Sequence, residues 1–282
     1  MKFCVFVFLW PLYSIFVRMD LDKILQETIS IVEEVGAFIA QERKHFSEKD
    51  VVGKDTNDLV SYVDKEAEKR LIEKLQRVVP EAGFIAEESS PGASEKELNW
   101  IIDPLDGTTN FIHEMPAYAI SVALAKGNEI VLGVVFNIPQ NEMFYAHKDG
   151  KAFCNGKEIS VSKHDKLKDC LVATGFPVKN FDRMKGFQDT TEYFMRNTRG
   201  IRRLGAAAVD LCYVACGRFD GFFEYNLNAW DVAAGALIVQ RAGGKVSDFS
   251  GSDKYLFGKE IVAASENIYK PFHHVVSERF NS

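Results

Sequence analysis

Apolar positions recur every three to four residues from the start of a long amphipathic stretch. Leu21, Ile24, Leu25, Val32, Val35 and Ile39 fall on one stripe, with Thr28 among them. That period predicts a helix, and Asp20 or Asp22 stands where an N-cap is wanted. A second stripe, Val60, Val63, Ala67, Leu71, Leu75 and Val78, predicts a helix over 60–79. The polar stretch 48–57 between them reads as a loop or a hairpin. Residues 83–86 read as a short strand running into Glu87 and Glu88, and 100–102 as a strand running into Asp103. From 117 to about 162 the pattern turns antiparallel, with strands over 119–125, 130–137 and 142–147. Turn residues at 148–151 and Asn155-Gly156 signal hairpins. A second block follows: strand 170–175, helix 185–196, helix 206–216 and strand 221–225. The run 229–242 is nearly all apolar and ends at Gly243-Gly244, which predicts a helix buried on most sides. Helices layered against sheets are the implied class, α+β.

Length and composition bound this picture without changing it. The chain has 282 residues, enough for one large domain or two closely packed halves. A formal net charge of −6 disfavours a broad nucleic-acid surface. Residues 1–18 stand apart. The run 3–17 is apolar and flanked by Lys2 and Arg18, yet short of the ~20 residues a membrane span needs. Pro11 interrupts it, and no small-x-small cleavage site follows. The expectation is that translation begins at Met19, so that no membrane partner is implied unless residues 1–18 are real. Five cysteines, an odd number without a CxxC pair, read as reduced thiols of a cytoplasmic protein. Cys212 and Cys216, one helical turn apart, read as buried packing.

The chemistry is suggested by where acids fall. Glu87 and Glu88 follow one strand, Asp103 and Asp106 another, and Asp231 opens the buried helix. Carboxylates pressed together raise one another's pKa, and a hard divalent cation relieves the repulsion. In Asp103-Pro104-Leu105-Asp106, Pro104 fixes φ, has no N–H and biases Asp103 toward extended backbone. Two carboxylates and the Leu105 carbonyl can then face one centre. Gly107 permits close backbone approach, and a helical turn opening at Thr108 would offer free N–H groups to a phosphate. Each element has an ordinary alternative. Asp-Pro-x-Asp-Gly is a common turn, Glu87-Glu88 is commonly a solvated pair, and Asp231 is commonly a helix cap. Their combination is what points to a metal site.

Trp100-Ile-Ile-Asp-Pro-Leu-Asp-Gly-Thr-Thr-Asn-Phe111 resembles the first signature of the inositol monophosphatase family. Trp230-Asp-Val-Ala-Ala-Gly235, followed by Ala242-Gly-Gly244, resembles the second, and Phe84-Ile-Ala-Glu-Glu-Ser89 its Glu-Glu strand end. The similarity in order and spacing runs from about Met19 to the C-terminus. It implies a layered αβαβα sandwich of the sugar-phosphatase type, with an N-terminal half over 19–157 and a C-terminal half over 158–282. It also implies hydrolysis of a phosphate monoester, inositol 1-phosphate to myo-inositol and phosphate, with two or three Mg2+ ions, lithium sensitivity and a homodimer. By resemblance, Glu87, Asp103 and the Leu105 carbonyl hold one ion, and Asp103, Asp106 and Asp231 a second. Glu87 with Asp58 nearby holds a weaker third, although Ser61 replaces the family's threonine after Asp58-Leu59-Val60. Glu88 and Thr108, with Glu87, orient or deprotonate the attacking water. Gly107 and Thr108 hold the phosphate. Gly205, Ala206, Ala207 and Glu224, with Asp106 and Asp231, face the substrate ring. Arg202 and Arg203 stand near the mouth, where a second phosphate could be gripped.

Competing readings follow from the same residues. Fructose bisphosphate and adenosine bisphosphate are alternative substrates, and Thr109 in place of lysine argues against the second. A relative with an added transcription-regulator role is a further alternative. No GxxxxGK[ST], HExxH or Gly-x-Ser-x-Gly occurs. The six histidines are scattered, and His113, the one nearest the acids, reads as a loop residue.

Overall fold

The computed structural model describes residues 19–46, 51–55, 58–89, 96–177 and 180–280, with backbone alone from 51 to 60. Residues 1–18, on which the expected start at Met19 bears, lie outside the described residues.

Helix α1, Leu21–Arg43, opens where Asp20 accepts the Lys23 N–H at 3.1 Å, and buries Leu25, Val32, Val35 and Ile39. The polar stretch after it is a hairpin of β1, Val51–Asp55, and β2, Asp58–Ser61. Helix α2, Tyr62–Val78, begins later than the apolar stripe suggests. Val60 belongs to β2, and Ser61 with Asp64 forms a capping box that fixes the helix start.

Seven strands then make the larger sheet in sequential order: β3 (Gly83–Ala86), β4 (Leu98–Asp106), β5 (Ala119–Lys126), β6 (Glu129–Asn137), β7 (Glu142–His147), β8 (Phe153–Cys154) and β9 (Lys157–Glu158). Only β3 and β4 run parallel; the other pairs are antiparallel. The Asn155-Gly156 hairpin joins β8 to β9 with both residues at positive φ, 47° and 77°, as a two-residue turn of this hand requires. Helix α3, Thr108–Ile112, is a single turn after β4.

The smaller sheet has the order β11-β10-β12-β14-β13. Its strands are β10 (Leu171–Thr174), β11 (Gly200–Arg202), β12 (Gly221–Tyr225), β13 (Gly244–Ser247) and β14 (Glu260–Ser265). Helices α4 (Met184–Asn197), α5 (Ala207–Ala215), α6 (Ala229–Arg241) and α7 (Glu266–Phe280) complete the chain. The elements β13, β14 and α7 lie in a stretch for which the sequence pattern made no assignment.

Three apolar clusters cement five layers. One joins α1 and α2 to a face of the larger sheet through Trp100, Ile102, Ile120, Val122 and Leu124. The opposite face carries small residues, Ala119, Ala123 and Ala125, and packs on α5 and α6, which in turn meet the smaller sheet. The third joins the outer face of the smaller sheet to α4 and α7 through Phe187, Phe194, Phe223 and Phe272. This is the αβαβα sandwich. As its composition predicts, α6 is buried along nearly its whole length.

The close approach of α6 to β6 depends on Gly133. A Cβ there would meet the Cα and carbonyl oxygen of Ala234 at 2.9 Å, and backbone cannot swing aside. Gly133→Ala should therefore cost about 1–3 kcal/mol, the scale of overpacking a tight core. Chemical denaturation checks this, and an unchanged midpoint and slope would contradict it.

Candidate functional site

Strand β4 brings the acids to one place. Its register against β5 slips between Asp103 and Asp106, where Pro104 cannot donate to the ladder. The slip ends regular pairing and leaves Asp103, 2% exposed, and Asp106, 8% exposed, at the strand's end. The Asp103 Oδ1 accepts the Leu105 N–H at 2.9 Å, which folds the Asp-Pro-Leu turn back on itself. Glu87 follows the neighbouring strand β3, its own N–H donating to the Ile102 carbonyl at 3.3 Å.

The next acid arrives at the start of α6. Asp231 lies in the first turn of α6, where its Oδ2 accepts the Asn228 N–H at 2.6 Å in a capping box. Its capping role is real, and it also faces Asp106. Asp106 itself accepts the Ala208 N–H at 2.7 Å. Ala206, at the N-cap of α5, supplies no side-chain cap of its own. A carboxylate 102 residues away thus caps that helix, as a helix N-terminus favours.

Burial and mutual repulsion show in the titration of these groups. Asp103 is held well above the usual carboxylate range, by burial first and then by Glu87, Asp106 and Asp231. Burial lifts Asp106 to about 7, against the opposing Ala208 N–H, with Glu87 adding repulsion. Burial lifts Asp231 to about 7, opposed by Asn228 and reinforced by Asp106. Glu224, at the end of β12, is lifted to about 8 by burial, Asp231 and Asp106, with Arg203 pulling the other way. The Glu224 carboxylate lies over Gly175, where any Cβ would collide with it.

Asp106, Asp231 and Glu224 border one cavity of about 210 Å³, lined also by Gly205, Ala206 and Ala207 and by Arg203 and Phe176. A groove of about 850 Å³ lies elsewhere, around Tyr255 and Phe257, and contains none of the acids. Chemistry rather than volume therefore picks the candidate site. The wall Gly205–Ala207 is positioned by Asn110, whose Nδ2 donates to the Ala117 and Leu204 carbonyls at 2.6 and 2.8 Å. Gly107 adopts φ 88°, and a Cβ there would meet the Ala117 oxygen at 2.9 Å. Only glycine suits both conditions.

Three buried acids in this neighbourhood, Asp64, Glu68 and Asp210, escaped the sequence reading. Asp64 Oδ1 accepts the Thr108 hydroxyl at 2.9 Å, while its Oδ2 accepts the Ser61 N–H and hydroxyl at 2.9 and 2.6 Å. The signal was present as Ser61-x-x-Asp64, a capping-box spacing that normally speaks only of a helix start. The Thr108 hydroxyl also lies 3.1 Å from the Leu105 carbonyl, and its single hydrogen serves one acceptor at a time. Glu68, 2% exposed, accepts the Glu88 N–H at 2.8 Å and so fixes the chain that carries Glu88. For Asp58 the backbone starts β2, but its side chain lies outside the described residues. Arg202 is exposed and turned onto its neighbour's carbonyl, with Nη1 donating to Ile201 at 2.9 Å.

Among the described residues, no group of three or more His, Cys, Asp or Glu side chains already stands in metal-holding geometry. The donor chemistry nonetheless fits a hard cation. Asp103, Asp106, Asp231 and Glu87 are oxygen donors that repel one another in a buried place, and a divalent cation is what such a set accommodates. Four described cysteines are free thiols, and none lines the cavity.

Comparison with known proteins agrees with this arrangement. The profile described as "Inositol monophosphatase family" matches residues 20–279. A Neisseria meningitidis serogroup B protein named "Putative Nus factor SuhB" is 46% identical over 222 residues, 78% of this chain and 85% of its own length. A Rhizobium meliloti protein named "Inositol-1-monophosphatase" is 38% identical over 254 residues, 90% of this chain and 96% of its own. The crystal structure of the extragenic suppressor protein suhB from Bartonella henselae superposes with a TM-score of 0.84 at 36% identity, over 91% of this chain and 99% of that one. With the fold, the signature segments and the profile in agreement over nearly the whole described chain, this protein belongs to the inositol monophosphatase family.

Proposed function

We propose that this chain is a magnesium-dependent phosphatase that hydrolyses inositol 1-phosphate to myo-inositol and inorganic phosphate. The observation that carries the reading is the meeting of Glu87, Asp103, Asp106 and Asp231, from two strand ends and a helix start, near a small polar cavity. Glu87, Asp103 and the Leu105 carbonyl would hold one ion, and Asp103, Asp106 and Asp231 a second. Glu87 with Asp58 would hold a third. Bound there, magnesium supplies positive charge to the phosphate oxygens and eases deprotonation of a water. The first turn of α3 leaves backbone N–H groups at Gly107 and Thr108 for the phosphate. Glu88 and the Thr108 hydroxyl orient the attacking water, with Glu87 beside them. The Asp64 carboxylate beneath Thr108 holds that hydroxyl and can accept its proton. Gly205–Ala207 and Glu224 contact the substrate ring through backbone and carboxylate. Positioning and charge supply most of the rate.

The reading includes a homodimer in the cytoplasm, in keeping with free thiols at Cys154, Cys170, Cys212 and Cys216. No described helix is long and apolar enough to cross a membrane. A second reading, an added role in transcription, is favoured by the name of the Neisseria relative. The complete acidic set favours an enzyme whether or not that role is present.

Asp103→Asn should lower turnover by at least about 10²–10³-fold, the scale of removing one transition-state charge contact. Near-normal turnover at saturating magnesium would refute the assignment. Phosphate release from inositol 1-phosphate, fructose 1,6-bisphosphate and adenosine 3′,5′-bisphosphate should be highest with the first and inhibited by lithium. Preference for another substrate would move the reading to that branch. The buried acids also predict a pH dependence. Unfolded, they titrate near their ordinary values of 3.8 for Asp and 4.5 for Glu; folded, Asp106 and Asp231 titrate near 7 and Glu224 near 8. Between those limits the folded metal-free protein holds protons that the unfolded chain has released. Its stability therefore falls as pH rises from about 4 to about 8, and levels off above. Differential scanning calorimetry should show a lower metal-free Tm near pH 8 than near pH 5, with magnesium raising it more at the higher pH. A metal response independent of pH would contradict the linkage.

A further inference from the structure

Lys259 holds a conformation that its type of side chain rarely adopts. It stands immediately before β14 with φ 62°, in the left-handed region where a Cβ is strained. Glycine would take that angle freely, so backbone demand alone does not account for a lysine. Strain kept in place points to function when the surroundings show what it serves. The Lys259 carbonyl accepts the N–H groups of Asn226 and Leu227 at 2.6 and 3.1 Å, and both residues line the 210 Å³ cavity. Any residue type could supply that carbonyl. The side chain adds a separate contact.

Lys259 is exposed, yet its Nζ donates to Asn228 Oδ1 at 3.1 Å. Asn228 caps α6 and touches Asp231 twice. Its N–H donates to Oδ2 at 2.6 Å, and its side chain hydrogen-bonds the same carboxylate. An amide has one accepting end and one donating end. The ammonium can only donate, so it holds the amide oxygen. An ionised carboxylate can only accept, so it takes the NH2 end. Among the described residues Lys259 forms no ion pair with Asp231; the Asn228 amide makes the connection.

We infer that Lys259 is a positioning residue: its ammonium fixes the Asn228 amide, and the amide fixes the Asp231 carboxylate in the pose that receives a divalent cation. The inference rests on the metal-dependent phosphatase reading and adds to it a residue that does not line the cavity. Partners one step behind a metal ligand orient it, and losing one typically costs ~10–100-fold in metal affinity. Lys259 acts one step further back, so a loss of roughly 3–10-fold is expected. Two other roles make different predictions. A charge acting only through space opposes cation binding, so its removal would tighten binding, and less so in salt. A lysine used only for its carbonyl would leave binding unchanged.

Direct binding of manganese, followed by electron paramagnetic resonance at low and high ionic strength, separates the three. The site concerned is the one weakened most in Asp231→Asn. There Lys259→Gly, which removes the ammonium and relieves the backbone, should weaken manganese binding roughly 3–10-fold at both salt concentrations. Its metal-free denaturation midpoint should stay level or rise. Lys259→Met should weaken binding alike, and Lys259→Arg should recover most of the loss by keeping a charged donor. Asn228→Ser keeps a helix-capping oxygen and removes the amide. In that background Lys259→Gly should add nothing. Unchanged or tighter binding in Lys259→Gly overturns the inference and leaves the metal reading standing. So does an effect of Lys259→Gly that persists undiminished with Asn228→Ser. A wild type that binds no manganese overturns the metal reading, and the inference with it.

Discussion

The mutual repulsion of Glu87, Asp103, Asp106 and Asp231 is the constraint to which the surrounding structure answers. Burial of like charges is unfavourable unless hydrogen bonds or a cation compensate. The fold supplies part of the compensation from backbone. Asp106 takes N–H groups at the start of α5, Asp231 takes that of Asn228 at the start of α6, and Asp103 takes that of Leu105. Each acid thus satisfies an otherwise unpaired amide, and two of them do so at helix N-termini, where partial positive charge gathers. What backbone leaves uncompensated is the net negative charge, and that remainder is what a divalent cation would meet.

The position of Asp231 relative to Asp106 depends on packing far from either. Helix α6 must lie deep between the sheets for its first turn to reach the end of β4. Small residues on the sheet, Ala119, Ala123, Ala125 and Gly133, permit that depth. The Ser121 hydroxyl ties the strand to the helix by donating to the Trp230 carbonyl at 3.1 Å. The apolar seam and the acidic site are therefore one design: the seam sets the spacing that the carboxylates experience.

Much of this was legible in the sequence because the periods are clean. Strands β3, β7 and β12 begin and end where alternation and turn residues place them, and α6 declares itself by an unbroken apolar run. The start of α2 was misplaced because Val60 fits the helical stripe by chance, while Ser61 holds the real cap. The smaller sheet's β13 and β14 and the final helix were not read, since their pairing is long-range and α7 carries Pro271 inside it. In the site, the acids at strand ends announced themselves. Asp64 and Glu68 did not: they fall beside Val63, Ala67 and Leu71 on the buried face of α2, but an acid flanking an apolar stripe is ordinarily a solvated edge residue. Their partners, the Thr108 hydroxyl and the Glu88 N–H, are 44 and 20 residues away, and no local rule connects them.

Asp210 carries the argument about local rules one step further. It is 1% exposed, and neither carboxylate oxygen has a hydrogen-bond partner. Burial, with Glu224 and Asp106 nearby, pushes its pKa well up, so the neutral carboxyl is the form the interior favours. A chain optimised for stability alone would place an apolar residue there. Natural sequences break such rules mainly where a site demands it. Here the exception lies close to the cavity, near enough for Glu224, Asp106 and Arg203 to act on its charge. Asp106, Glu224 and Asp231 lie on three different elements, and Asp210 on a fourth, α5, whose first turn Asp106 caps. The cost of burying acids is therefore spread over four elements rather than confined to the residues that line the cavity.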